Sequence, residues 1–400
     1  NVVERARLIP VPGRRSAAIR TGIKDAPRDD LALALFDAGT VIAGVYTQSA
    51  FAAPPVALAK ERLTPRAWIV NSGNANAATG QPGRADAIAV CDAVARELGL
   101  QSDDIQPFST GVIGERLDVS KICAAIPALV QDLSPDQWLG YAKAILTTDT
   151  VTKAVSKRVS LDGTDIILTG VAKGSGMIKP NMATMLGYIA CNASVAPDVL
   201  ERMVQEVADG SFNRITVDGD TSTNDCFMLA ATGISEMAAI TSVTDERYVI
   251  LKQAVLEVAQ TLAQAIVRDG EGATKFVTIT VAGGNHAQEC LEVAYTVAES
   301  PLVKTALFAG DANWGRFCMA IGRAQVTELD PNRVSLWLDN VQVASGGLMA
   351  DDYTDDAGAS VLAQEEFRVM IDLGRGDATE TVWTTDLSYE YVRINAEYRS

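Results

Sequence analysis

The sequence predicts an α/β fold, because short apolar runs alternate with amphipathic helical stretches along the chain. Two places carry most of that expectation. Ala67-Trp68-Ile69-Val70 has the pattern of a buried strand that runs into the loop Asn71-Ser72-Gly73-Asn74 and then into a helix. Phe276-Val277-Thr278-Ile279-Thr280-Val281 is β-branched at nearly every position, which suits a pleated, half-buried surface. A length of 400 residues exceeds what one core usually supports and predicts two or three domains.

In chain order, the first helix puts Ile88, Cys91, Val94 and Leu98 on one face and meets a stop at Gly99. Pro197 reads as a first-turn proline opening a helix that runs to Gly210. Leu251, Val255, Val258, Leu262 and Ile266 recur at three- and four-residue steps, and that helix ends at Asp269-Gly270. After the 276–281 strand, Gly283-Gly284-Asn285-His286 reads as a surface hairpin turn and a domain seam. There is no repeat, low-complexity tract or long linker.

A net charge of −16 argues against nucleic acid or an anionic membrane surface as the main partner, while leaving small anionic substrates open. No apolar run is expected to reach the length needed to cross a bilayer. The six cysteines lie far apart with no C-x-x-C pair, which reads as buried small hydrophobes in a reducing, cytoplasmic compartment. The segment from Asn1 shows no charged-then-apolar signal pattern. His286 is the single histidine, so a Ser-His-Asp triad or a multi-histidine zinc site would rest on one residue, and both are disfavoured. The acidic stretch 218–225 fails the EF-hand template, with Gly219 misplaced and Leu229 where the bidentate Glu should stand. It reads as a turn with self-capping side chains, and no metal is expected.

The chemistry concentrates in Lys173-Gly174-Ser175-Gly176-Met177-Ile178-Lys179-Pro180-Asn181-Met182-Ala183-Thr184-Met185-Leu186. On pattern alone this is a loop entering a buried strand. Gly174-Ser175-Gly176 lacks the Walker spacing and is weak evidence for a phosphate cradle. A second reading comes from the scarcity of histidine. A threonine hydroxyl needs a base, and its own α-amine can serve once the preceding peptide bond is cut. That amine's ordinary pKa, about 7.7–8.0, suits both proton uptake and release. Attack of Thr184 Oγ on the Ala183 carbonyl, an N-to-O acyl shift and ester hydrolysis would free the new terminus.

The same segment closely resembles the self-cleavage segment of the ornithine acetyltransferase (glutamate N-acetyltransferase) family. Phe108-Ser109-Thr110-Gly111-Val112-Ile113-Gly114-Glu115 is similar to that family's oxyanion-hole motif. Family blocks are also matched by Thr147-Thr148-Asp149-Thr150, by 212–225, by Asp269-Gly270-Glu271-Gly272-Ala273-Thr274-Lys275, by 311–316 and by the tail 391–398. The matches run in order over essentially the whole chain. Ala312 departs from the pattern, standing where proline is expected, at a position with no catalytic role.

The resemblance implies a layered α/β core related to self-cleaving, N-terminal-nucleophile-like aminopeptidases. Residues 1–282 would hold that catalytic core and the 183/184 cut, and 283–400 a smaller C-terminal α/β domain whose tail returns to the site. It implies cleavage between Ala183 and Thr184, with Thr184 carrying acetyl from N-acetylornithine to glutamate by ping-pong transfer. Thr110 and the Gly111 N–H would form the oxyanion hole. Thr148 (with Thr147 as the alternative), Lys173, Thr184, Glu271, Asn395 and Ser400 would contact substrate, Lys173 facing carboxylates and Glu271 amines. No cofactor is implied, although acetyl-CoA is a possible second donor. The cut fragments would stay together, pairing as an α2β2 heterotetramer, with no nucleic-acid or membrane partner. Two other readings compete: a hydrolase in which water resolves the acyl-enzyme, and a non-enzymatic or nucleotide-binding α/β protein with a structural Thr184. Competition between water and amine acceptors separates the first, and an uncut chain on a denaturing gel would support the second.

Overall fold

The computed structural model describes residues 8–179 and 185–398. Contacts divide the chain into two compact units, one of Asn1–Asn213 with Asp220–Ile266, the other of Arg214–Gly219 with Val267–Ser400.

Among the described residues, the first unit contains nine strands, β1 (Arg14–Ile19), β2 (Leu31–Phe36), β3 (Val41–Tyr46), β4 (Ala67–Asn74), β5 (Ile105–Val112), β6 (Lys153–Leu161), β7 (Thr164–Lys173), β8 (Leu186–Cys191) and β9 (Cys226–Ala231). Its helices are α1 (Pro54–Glu61), α2 (Gly80–Leu98), α3 (Val119–Gln131), α4 (Trp138–Ala144), α5 (Pro197–Asp209) and α6 (Glu246–Arg268), the last ending across the division. The strands form two sheets, ordered β1-β2-β4-β5 and β3-β9-β8-β7-β6. Only β4/β5 and β8/β9 pair parallel within them.

Strand β2 shows why the unit is layered. All six residues of Leu-Ala-Leu-Ala-Leu-Phe are buried, so both faces of the sheet must be covered. Alternation sends Leu31, Leu33 and Leu35 toward Val90, Val94, Ile122 and Ile126 of α2 and α3. Ala32, Ala34 and Phe36 point the other way, into a core shared with Tyr188 and Met228 of the second sheet. Each fully buried leucine contributes about 1.5–3 kcal/mol relative to exposure. Helix α6 covers the outer face of the second sheet. A Cβ on Gly170 of β7 would stand 2.9 Å from Val258 and 3.1 Å from Leu262, so the helix packs directly onto backbone there. The result is helix, sheet, sheet, helix.

The 251–266 stripe is realised in α6, where Leu251, Val255, Val258, Leu262 and Ile266 are all at most 1% exposed. At 23 residues this helix is, by length and composition, apolar enough to cross a membrane, contrary to the expectation that no run would be. Its apolar stripe is instead spent on the protein core. Gly99 ends α2 in the left-handed conformation, φ 68°, and Pro197 opens α5 as the pattern predicts. Cys91, Cys191, Cys226 and Cys290 are buried, Cys123 and Cys318 half-buried, and all six are free thiols.

The second unit comprises β10 (Phe276–Gly284), α7 (Ala287–Ala298), α8 (Pro301–Ala309), α9 (Trp314–Gly322), β11 (Ser335–Leu338), β12 (Val341–Ser345) and β13 (Leu348–Met349). It closes with α10 (Asp355–Leu362), β14 (Glu366–Asp372), β15 (Ala378–Thr385) and α11 (Tyr389–Ala396). The strand order is β13-β12-β11-β14-β10-β15. Val277, Ile279 and Val281 of β10 pack with Val293, Val297, Leu336 and Val369.

Two expectations need correction here. The division falls at Ile266/Val267, not at 282/283, because β10 pairs with β14 and β15 and is an inner strand of the second unit's sheet. The 283–286 turn is also no hairpin. It joins β10 to α7, and His286 is the helix N-cap, its Nδ1 accepting from Glu289 N–H at 3.2 Å. Gly-Gly-Asn suits either kind of turn, and the apolar face of the following helix decides between them.

Candidate active site

Strands β4 and β5 end side by side, paired parallel from Ala67↔Ile105 to Gly73↔Gly111, where the register breaks at Gly73/Asn74. Gly111 takes φ +134°, and a Cβ there would lie 2.3 Å from the Gly73 carbonyl carbon, so only glycine fits. The buried Asn224 amide braces both strand ends, donating to Ala75 O at 2.6 Å and Ser109 O at 2.9 Å. This places the half-buried Thr110 hydroxyl at a rigid strand terminus.

Lys173 stands at the end of β7, paired with Leu186 where β8 begins. Its ammonium donates to Thr147 Oγ at 2.7 Å and to Thr110 Oγ at 3.3 Å. Asp149, from the turn between α4 and β6, organises the surroundings. One of its oxygens accepts from Lys153 Nζ and from the Gly174 N–H, each at 2.7 Å. The other accepts from Thr147 N–H at 3.1 Å and lies 4.0 Å from Lys173 Nζ. The side chains of Asp149 and Lys153 are fully buried. Burial alone would raise the Asp149 pKa, but the Lys153 and Lys173 ammoniums and the Gly174 N–H outweigh it and hold the carboxyl well below the carboxylate range.

A second tier of cations braces the same turn. Arg28 donates to Thr147 O at 2.6 Å, and Lys24 donates to Leu146 O. Burial, then repulsion from Arg28 and Lys173, lowers the Lys24 pKa to about 7. Their loop is wrapped around Asp30, whose carboxylate accepts the backbone N–H groups of Thr21, Gly22, Ile23 and Lys24. Thr148 is tied elsewhere, its hydroxyl 2.7 Å from that of Ser175. Of the two candidate threonines, Thr147 therefore touches Lys173.

In the second unit, Glu271 is buried and its carboxylate accepts from Asn395 Nδ2 at 2.7 Å. Three contacts hold that pairing. Ser388, the N-cap of α11, donates to Gly272 O at 2.6 Å. Tyr391 Oη bonds Asp218 at 3.0 Å, and Asp386 accepts the N–H groups of Thr274 and Lys275. Gly272 has φ +69°, and a Cβ would meet Tyr391 N at 2.5 Å, so the tail helix packs tightly against this loop.

The structure thus brings Thr110, Gly111, Thr147 and Lys173 together in the first unit, and Glu271 with Asn395 in the second. Ala183, Thr184 and Ser400 lie outside the described residues. Among those described, no cluster of metal-ligating side chains occurs. Asp149 and Lys153 carry no role in the sequence reading, although Asp149 lies inside a block singled out there. A buried carboxylate with two lysines around it becomes visible only once the turn is folded onto β7.

Two hydroxyls and an ammonium are gathered beside Gly111 at a strand terminus, inside a layered α/β unit. The sequence profile of the ArgJ family matches residues 15–400, and the chain belongs to that family. It is 51% identical over 395 residues to the arginine biosynthesis bifunctional protein ArgJ of Pseudomonas syringae pv. tomato, covering 98% of each chain. The Pseudomonas fluorescens protein of the same name is 52% identical over 395 residues, again with 98% of each covered. A crystal structure of the arginine biosynthesis bifunctional protein from Bacillus halodurans matches with a TM-score of 0.50 at 33% identity, over 52% of this chain and 96% of that one.

Proposed function

We propose that the chain is a self-processing acyltransferase of arginine biosynthesis. It cuts itself between Ala183 and Thr184 and carries acetyl on Thr184 Oγ from N-acetylornithine to glutamate. The observation that carries this reading is the convergence of Thr110, Gly111 and Lys173 beside the start of β8, which leads back along the chain to residue 184. Family membership and the curated relatives' name, bifunctional in arginine biosynthesis, support it. So does the Bacillus structure, whose chain corresponds to about half of this one. A cut after residue 183 would divide 400 residues into pieces of 183 and 217.

In the acylation step Thr184 Oγ attacks the acetyl carbonyl, and the Thr184 α-amine takes the hydroxyl proton. The tetrahedral oxyanion is held by Thr110 O–H and Gly111 N–H, and the amine's proton leaves with ornithine. Glutamate nitrogen then attacks the acetyl-threonine and regenerates the hydroxyl. Acetyl-CoA is proposed as a second donor to the same threonine, in line with the bifunctional name of the relatives.

The test has two parts. Purified protein should run as two fragments, the second beginning Thr-Met-Leu, and Thr184→Ala should stay whole and inactive. The wild type should acetylate glutamate from N-acetylornithine and, separately, from acetyl-CoA. Cleavage of Thr184→Ala at the same bond would remove the nucleophile assignment, and no transfer from either donor would remove the activity.

A further inference from the structure

Lys173 is expected, by resemblance, to contact substrate, yet its described contacts point into the catalytic apparatus. An ammonium has three donors and no acceptor. Both hydroxyls it touches, on Thr110 at 3.3 Å and Thr147 at 2.7 Å, must therefore accept from it. Each hydroxyl's own proton is then obliged to point elsewhere. For Thr110, no described residue accepts that proton. A freely rotating hydroxyl could offer either a lone pair or a proton to substrate, and only the proton stabilises an oxyanion.

We propose that Lys173 is a positioning residue for the oxyanion hole: its ammonium, anchored through the Asp149–Lys153 pair, occupies an acceptor lobe of Thr110 Oγ and turns the Thr110 O–H outward as a polarised donor. The inference rests on the acyl-transfer reading above. The anchoring is stiff. Asp149 is fully buried, and its two oxygens take the Lys153 ammonium, the Gly174 N–H next in sequence to Lys173, and the Thr147 N–H. The carboxylate thereby ties together the backbone that carries Lys173 and the backbone of its second acceptor, Thr147. An adjacent cation also strengthens the Thr110 O–H as a donor, since withdrawing charge from the oxygen makes its proton more acidic.

The test is a double-substitution cycle on acetyl transfer from N-acetylornithine to glutamate by processed enzyme, using Thr110→Ala, Lys173→Met and the pair. If Lys173 works through Thr110, each single change lowers kcat by about a hundred- to a thousand-fold, as loss of one oxyanion donor does, with KM moving less than about three-fold. The double variant then falls no more than about three-fold below the worse single one. Losses that multiply would overturn the proposal, and so would a Lys173→Met enzyme with raised KM and unchanged kcat, the signature of a carboxylate clamp. Lys173→Arg, which keeps the cation and its donors, should recover at least ten-fold in kcat over Lys173→Met when Thr110 is present and nothing when it is Ala. Equal rescue in both backgrounds would mean a merely structural lysine. If Lys173→Met chains do not process, the same cycle is read from the rate at which the two fragments form on a denaturing gel, with the same two outcomes. Absence of transfer by wild-type protein would instead overturn the parent reading and this one together, before any variant is made.

Discussion

Gly111 stands at φ +134° with the Gly73 carbonyl carbon 2.3 Å from where a Cβ would be, so Gly111→Ala must distort the end of β5. The expected result is a loss of about 1–3 kcal/mol in unfolding free energy, read by denaturant titration, with kcat falling at least ten-fold as Thr110 moves. Asp149 calls for a pH test. Its carboxyl is depressed in the folded state, so its stabilisation is complete above the unfolded-state pKa of about 3.9 and is lost as pH falls toward the lower folded value. Asp149→Asn breaks the buried ion pair with Lys153 and should destabilise by about 3–5 kcal/mol at pH 7. That gap should narrow between pH 4 and pH 2, and a gap independent of pH would show that the carboxylate's charge is not what matters. His286 is the opposite case, its imidazole spent on capping α7. His286→Gln should cost up to about 1 kcal/mol of stability and leave the pH dependence of kcat/KM unchanged.

Helix α6 was legible at element scale because its five apolar positions share one face and no glycine or proline interrupts them. Its burial assigns energies. Leu262→Ala, at a position 1% exposed, should destabilise by about 2–5 kcal/mol, while Val249→Ala, on the same helix and 57% exposed, should stay within about 0.5 kcal/mol. Comparable thermal shifts for the two would contradict the described packing. The turn after β10 shows where local pattern runs out. Gly283 has φ +72°, which suits a hairpin as well as a crossover, and β10 takes a parallel neighbour in β14. A parallel pair requires a long connection, so the chain leaves through α7 instead of folding straight back. The pairing is decided more than eighty residues downstream, beyond the reach of any local signal.

For the whole molecule, the proposed cut has a consequence for assembly. Strands β7 and β8, on either side of residue 184 in sequence, are antiparallel neighbours from Lys173↔Leu186 to Leu168↔Cys191. Strand β3 pairs in turn with β9, from Val41↔Ala231 to Tyr46↔Cys226. Both seams would join the N-terminal fragment to the C-terminal one within a single sheet. Processed protein should therefore elute from gel filtration as one species containing both fragments and separate only in denaturant. Fragments that part in native buffer would contradict that sheet order. This behaviour is independent of the pairing of two such molecules, which sedimentation would read separately.

What the sequence determined by itself was local. Periodicity located α2, α5, α6 and the β10 strand, and turn chemistry located their ends, because burial repeats every two or 3.6 residues and caps act within one turn. Motif resemblance marked Thr110, Gly111, Lys173, Glu271 and Asn395 without saying which would touch. Only the tertiary structure decided that Lys173 meets Thr110, 63 residues away, and Thr147, 26 residues away, or that Asn395 reaches Glu271 across 124 residues. Those contacts depend on sheet order and register, which the whole core selects by burying both faces of strands such as β2. The role of Asp149 follows from the same cause: a buried carboxylate acquires its lysines only when the turn that bears it is folded against the end of β7.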